Sequence, residues 1–116
     1  MKPVHWMGSS RADLRELPAE VQDDIGFALY AAQKGGKSPK AKPLQGFQGA
    51  GVLEVVESHD GDAYRAVYTV KLAAAIYVLH VFQKKSKHGI ATPKHELDLI
   101  EQRLRLAIAD AKGERP

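Results

Sequence analysis

The chain of 116 residues contains no cysteine. That absence removes disulfides, thiolate-bound zinc and cysteine nucleophiles together, and it suits a reducing compartment. No uncharged apolar segment exceeds the 12 residues from Leu72 to Gln83, whereas a membrane helix needs roughly 20. The start, "MKPVHWMGSS", is interrupted by Pro3, His5 and Gly8 and lacks the apolar stretch of a secretory signal. These deficits predict a soluble, cytoplasmic protein with no membrane partner. The most telling deficit is of acid. No Asp or Glu lies between Asp62 and Glu96, a stretch holding Arg65, Lys71, Lys84, Lys85, Lys87 and Lys94 with His80, His88 and His95. Net charge is only +3, but a single-sign field over a contiguous third of the chain suggests an anionic partner.

What is present reads as one globular domain over residues 1–116, with 44% hydrophobic and 27% charged residues. Residues 2 to 7 predict a short first strand. Ser10, three residues before Asp13, gives a capping-box-like start to a short helix. Pro18 suits the first position of a second helix that sets Val21, Ile25, Ala28, Leu29 and Ala32 on one face and stops at Gly35-Gly36. "KGGKSPKAKPLQGFQGAG" reads as a loop. Three runs rich in β-branched and aromatic residues follow: "VLEVVES", "AYRAVYTVKL" and "AIYVLHVFQ". His59-Asp60-Gly61-Asp62 is a hairpin turn between the first two, and a second turn falls near Ala73 to Ala75. The last helix takes Thr92 as cap and Pro93 as first residue, sets Leu97, Ile100, Leu104 and Ile108 on one face, and precedes Gly113. The order β-α-α-β-β-β-α predicts an α+β fold: an antiparallel sheet with an N-terminal helical hairpin and a C-terminal helix.

Gly36-Lys37-Ser38 is no phosphate loop, since Ala31 stands where that motif needs glycine. His88 and His95 have no thiol or well-placed carboxylate to complete a ligand set, so no metal is expected. Strand alternation sets Arg65, Val67, Thr69 and Lys71 on one face, where Arg65 requires a partner: Glu54, Glu57, or a bound anion. His80 alternates with Val78 and Phe82 as a half-buried imidazole whose pKa the neighbouring charge can tune. "FQKKSKHG" places a basic cluster at a strand end, where it is better preorganised than on a free loop. Lys71, His88, Lys94 and the loop residue Lys42 add candidate phosphate contacts.

The element order, the hairpin "DGDAYRAVYTV" and the exit "AIYVLHVFQKKSKHGIATP" resemble the RelE/ParE superfamily of toxins from type II toxin–antitoxin systems, nearest its phage-derived HigB-like branch. The resemblance implies a ribosome-dependent endoribonuclease that cuts messenger RNA by attack of the 2′-OH on the adjacent phosphate. It implies no metal or cofactor, and a cognate antitoxin, of helix-turn-helix type, as the inhibiting partner. Arg65 matches the arginine that contacts the scissile phosphate, and Lys85 the basic position after the last strand, with Lys84 and Lys87 as neighbours. Where well-studied members place lysines on the strand before the hairpin, this chain has Glu54 and Glu57, and a tyrosine often found after the basic cluster is missing. Glu54, Glu57, His80 and His88 therefore remain candidates for the general base. Gyrase-inhibiting members share the scaffold without the ribonuclease residues, which leaves that activity, or a degenerate RNA- or antitoxin-binding domain, as the alternative.

Overall fold

The structure, a computed structural model, describes residues 1–84 and 92–113. In chain order the elements are β1 (Val4–Trp6), α1 (Ser10–Arg15), α2 (Ala19–Gln33), β2 (Ala41–Pro43), β3 (Val52–His59), β4 (Asp62–Thr69), β5 (Ile76–Lys84) and α3 (Lys94–Ala111). The strands form one sheet in the order β1-β5-β4-β3-β2. The α+β class, the first strand, the helical hairpin and the C-terminal helix are as expected, with two differences in the sheet. β1 runs parallel to β5, so the sheet is mixed rather than wholly antiparallel. The loop after α2 also contributes a short edge strand, β2, pairing Lys42 with Glu54. Three residues bounded by Pro43 are too few to show alternation, and a proline is tolerated there because the strand lies at the edge.

The sheet separates two apolar clusters. On one face the α2 residues Val21, Ile25, Ala28, Leu29 and Ala32 pack on Val55, Ala66, Tyr68, Ile76 and Val78. Those five helical residues are the ones the 3.6-residue period selects. On the other face α3 lays Ile100, Leu104 and Ala107 against Val52, Val67, Tyr77 and Leu79. Each fully buried Ile or Leu in these layers contributes about 1.5–3 kcal/mol.

Helix starts differ from expectation by one position each. Ser9, not Ser10, precedes α1, and its hydroxyl donates to Asp13 Oδ2 at 2.8 Å. Ser10 is instead buried, its hydroxyl reaching the Val78 carbonyl at 3.3 Å. Pro18 and Pro93 sit just outside α2 and α3 with extended ψ values of 145° and 150°. A proline ring allows both the helical and the extended ψ, so composition alone does not separate the two positions. The Asp60-Gly61 turn adopts positive φ at both residues, 49° and 83°, the conformation of the type I′ turn that suits a tight hairpin.

One irregularity in β5 decides which way its side chains point. Pairing with β4 runs Val67 to His80 and then Tyr68 to Val78, leaving Leu79 as an extra residue. Such a β-bulge interrupts the two-residue alternation. Leu79 and His80 consequently both face α3, while Val78 joins the opposite cluster. The expected sharing of one face by Val78 and His80 is thereby corrected. Among the described residues no helix is long and apolar enough to cross a membrane.

Candidate functional site

Arg65 lies on β4, paired in register with Phe82 of β5 and Val56 of β3, on the sheet face that α3 covers. Its side chain is nearly enclosed, at 5% exposure. A guanidinium there needs charge and hydrogen-bond compensation, and Nη1 donates to Glu54 Oε2 at 2.8 Å and to Thr92 Oγ1 at 2.9 Å. Glu54 reaches the same face because it sits opposite Val67 on β3. Lys42, brought beside Glu54 by β2, places Nζ 3.7 Å from Oε1. Glu54 is thus flanked by two cations, one buried and one open to solvent.

Glu57, the other acid expected near Arg65, is not there. It pairs with Tyr64, whose ring belongs to the cluster under the helical hairpin, so it lies on the opposite face. Its partner is Lys40, 3.0 Å away, whose ammonium pKa is raised first by that hydrogen bond and then by the carboxylate charge. The alternation of β3 separates the two acids, because an odd spacing of three positions puts them on opposite faces.

Around Arg65 a cleft of about 550 Å³ opens beside β2, lined chiefly by Lys42, Leu44, Glu54, Arg65, Thr92 and Leu97. That volume lies within the range of small-ligand sites. Lys84, at the end of β5, lies in the electrostatic field of Arg65, Glu54 and Lys42. Its pKa is lowered, first by desolvation and then by repulsion from Arg65, with Glu54 acting in the opposite sense. A crowded cation is pushed toward the neutral form in this way.

The remaining candidates fall elsewhere. Lys71 turns away from the cleft to donate to the Gly49 carbonyl at 3.0 Å. Lys94 pairs with Asp98 at 2.9 Å one turn along α3, and that bond raises its pKa. Lys85, Lys87 and His88 lie outside the described residues. His80 stacks on Phe82 with ring centroids 4.5 Å apart and lines a separate cleft with Asp13, Glu16 and Glu96. Its Nε2 is 3.3 Å from Glu96 Oε1, a contact off the line of a good hydrogen bond, and its Nδ1 is 3.5 Å from Arg103 Nη1. Burial lowers the imidazole pKa, and Glu96 partly restores it. Among the described residues no three His, Asp or Glu side chains gather as metal ligands.

Thr92 is the site residue that the sequence conceals. It reads as a helix cap, yet its hydroxyl is committed to Arg65, and only the docking of α3 across the sheet brings residues 65 and 92 together. The arrangement offers an anion one cation at an open rim, Lys42, a guanidinium behind it, and the field of Lys84 at the end of β5. A carboxylate beside that guanidinium can accept a proton. A phosphate oxygen can gain Arg65 by replacing the Thr92 hydroxyl, a neutral acceptor that holds a guanidinium less strongly than an anionic oxygen does.

A family profile described as "Phage derived protein Gp49-like (DUF891)" matches residues 12–105. Solved structures that resemble the chain include the following two. One is a mutant of the E. coli toxin RelE in the free state, with a TM-score of 0.57 and 13% identity, covering 90% of this chain and 96% of that one. The other is the toxin–antitoxin complex RelBE2 from Mycobacterium tuberculosis, with a TM-score of 0.48 and 22% identity over 72% of this chain and 98% of that one. No curated protein matches. The first likeness identifies the architecture as the RelE fold, and the family match covers nearly the whole sheet and most of α3.

Proposed function

The chain belongs to the phage-derived Gp49-like family and has the RelE fold, and from that premise we propose that it is the toxin of a toxin–antitoxin pair, acting as a metal-independent messenger-RNA endoribonuclease. The observation that carries this reading is the convergence of Arg65, Glu54 and Lys42 on one cleft, with Lys84 at the end of β5 within their electrostatic field. Cleavage of RNA by its own 2′-OH requires charge stabilisation at the phosphate and the movement of two protons, and these side chains suffice for both.

In the proposed reaction Glu54 takes the proton of the 2′-OH as the O2′–P bond forms. Arg65 binds a non-bridging oxygen and stabilises the added negative charge. Lys84, its pKa already lowered, gives a proton to the departing 5′-oxygen as the P–O5′ bond breaks, leaving a 2′,3′-cyclic phosphate and a 5′-hydroxyl. Of the candidate bases among the described residues, Glu57 is on the wrong face and His80 opens into another cleft, which favours Glu54 over both. No aromatic face lines the cleft among the described residues, so none of those residues stacks a base. An external scaffold that holds the RNA in line, the ribosome, supplies the missing orientation in this proposal. The cognate antitoxin, of the helix-turn-helix kind, then acts by denying access to the cleft in the cytoplasm.

The test is to induce wild-type and Glu54→Gln proteins in cells and map new 5′-hydroxyl ends on translated messages. The expected result is codon-linked cutting by the wild type and a loss of about 10²–10⁴-fold in the variant. Growth arrest without new RNA ends would contradict the nuclease reading, and cutting at the wild-type rate by Glu54→Gln would remove Glu54 as base.

A further inference from the structure

The outer face of α2, on the side of the sheet away from the Arg65 cleft, carries two exposed aromatic rings. Phe27 is 66% exposed and Tyr30 is 47% exposed, and Lys34 extends over the Tyr30 ring at 5.1 Å. Asp23, Phe27, Tyr30 and Lys34 fall four, three and four residues apart, which places them along one stripe of the helix. Among the described residues no ion pair reaches Asp23 or Lys34. Gly26 lies on this exposed face as well, and a Cβ built there would meet nothing within 4 Å. A glycine in a helix interior costs up to about 1 kcal/mol relative to alanine, and no neighbour within this chain accounts for it.

The stripe has a symmetry of chemistry. Asp23 and Lys34 are equidistant from a point between Ala28 and Leu29, and so are Phe27 and Tyr30, and so are Gly26 and Ala31. Under a two-fold axis through that point, an antiparallel copy of α2 sets Asp23 against Lys34, Phe27 against Tyr30, and the small Gly26 against the small Ala31. A self-complementary patch of this kind is what an isologous dimer requires. The rings of Phe27 and Tyr30 lie nearest the axis and fill the centre of such a contact, while Gly26 and Ala31 beside them leave room for the partner's rings.

We propose that α2 is a self-association surface, and that its occupant is the α2 of a second copy of this chain in antiparallel register. A contact limited to one helix face falls in the weak, transient class of interfaces, so the dimer forms and dissociates with concentration. Its two symmetry-related ion pairs lie at the rim and are screened by salt. Because α2 and the Arg65 cleft occupy opposite faces of the sheet, dimerisation leaves the cleft open and stands independently of the nuclease reading.

Sedimentation equilibrium of the whole chain at micromolar concentrations, in low and high salt, tests it. The wild type is expected to show a monomer–dimer equilibrium that weakens with salt. Asp23→Lys alone, or Lys34→Glu alone, should raise the dissociation constant roughly tenfold or more by placing like charges together twice, and the two combined should restore it. Phe27→Ser should abolish the dimer. All these positions are exposed, so the variants retain the fold. A wild type that stays monomeric throughout would overturn the proposal, as would a dimer indifferent to Phe27→Ser, or single charge changes that the double change does not rescue.

Discussion

Arg65 and Glu54 show how one pair of residues serves both folding and chemistry. At 4% and 5% exposure they form an enclosed ion pair, and removing one member strands a charge in a poorly hydrated place. Arg65→Ala should therefore cost about 3–5 kcal/mol in urea unfolding, so its loss of activity would mix two causes. Glu54→Gln preserves an oxygen for the Arg65 donor and should lose far less stability while losing the proton acceptor. His80 carries a different expectation. Its pKa is lowered from 6.5 by burial, with Glu96 opposing and Arg103 reinforcing the shift. The unfolded chain then takes up a proton at higher pH than the folded one, so the neutral buried ring is harmless above that ordinary value and destabilising below it. Charged groups facing the ring are Glu96 and Arg103 from α3 and Asp13 from α1. Unfolding titrations at about pH 7.5 and about pH 5.5 should show lower stability at the acid value, and His80→Gln should flatten that difference.

At the scale of elements, the hairpin between β3 and β4 sets the register on which the site depends. It aligns Glu54 with Val67 and Val56 with Arg65, and a slip by one residue would turn either Glu54 or Arg65 to the wrong face. Gly61 holds φ at 83° with no atom near a prospective Cβ, so Gly61→Ala probes backbone strain free of steric contact. The expected cost is about 1–2 kcal/mol, read as a lower thermal midpoint with an unchanged spectrum of the folded state. This turn was legible because Asp-Gly between two apolar runs has a physical meaning at the level of φ. The bulge at Leu79 was not legible, since "VLHVF" carries no glycine and alternates as readily without a break. β2 escaped for a related reason: its pairing is supplied by β3 rather than by its own residues. The five buried positions of α2 were readable in full, because a helix that covers a sheet displays its 3.6-residue period in its own sequence.

Over the whole molecule, the acid-free segment of residues 63–95 is drawn across the sheet from β4 through β5 to the start of α3. Among the described residues its charges do not act as a block: Lys94 is tied to Asp98 and Lys71 to a loop carbonyl, whereas Arg65 meets Lys42, from outside the segment, in the cleft, with Lys84 in their field. Binding of a single-stranded RNA probe should weaken with salt at a log–log slope of roughly −0.7 for each phosphate contact. Lys42→Ala and Lys84→Ala should each reduce that slope by about one such contact, whereas Lys94→Ala should leave it unchanged; fluorescence anisotropy across a salt series measures all three. By itself the sequence determined the class of fold, the helix that covers the first face, the hairpin and the family resemblance, because each rests on local periodicity or on turn chemistry within a few residues. Only the tertiary structure decided that Glu54 and not Glu57 meets Arg65, that Thr92 joins them from 27 residues away, and that His80 belongs to another cleft. Those outcomes depend on strand register and on a bulge, and both are fixed by how neighbouring strands and α3 pack rather than by any residue's own preference.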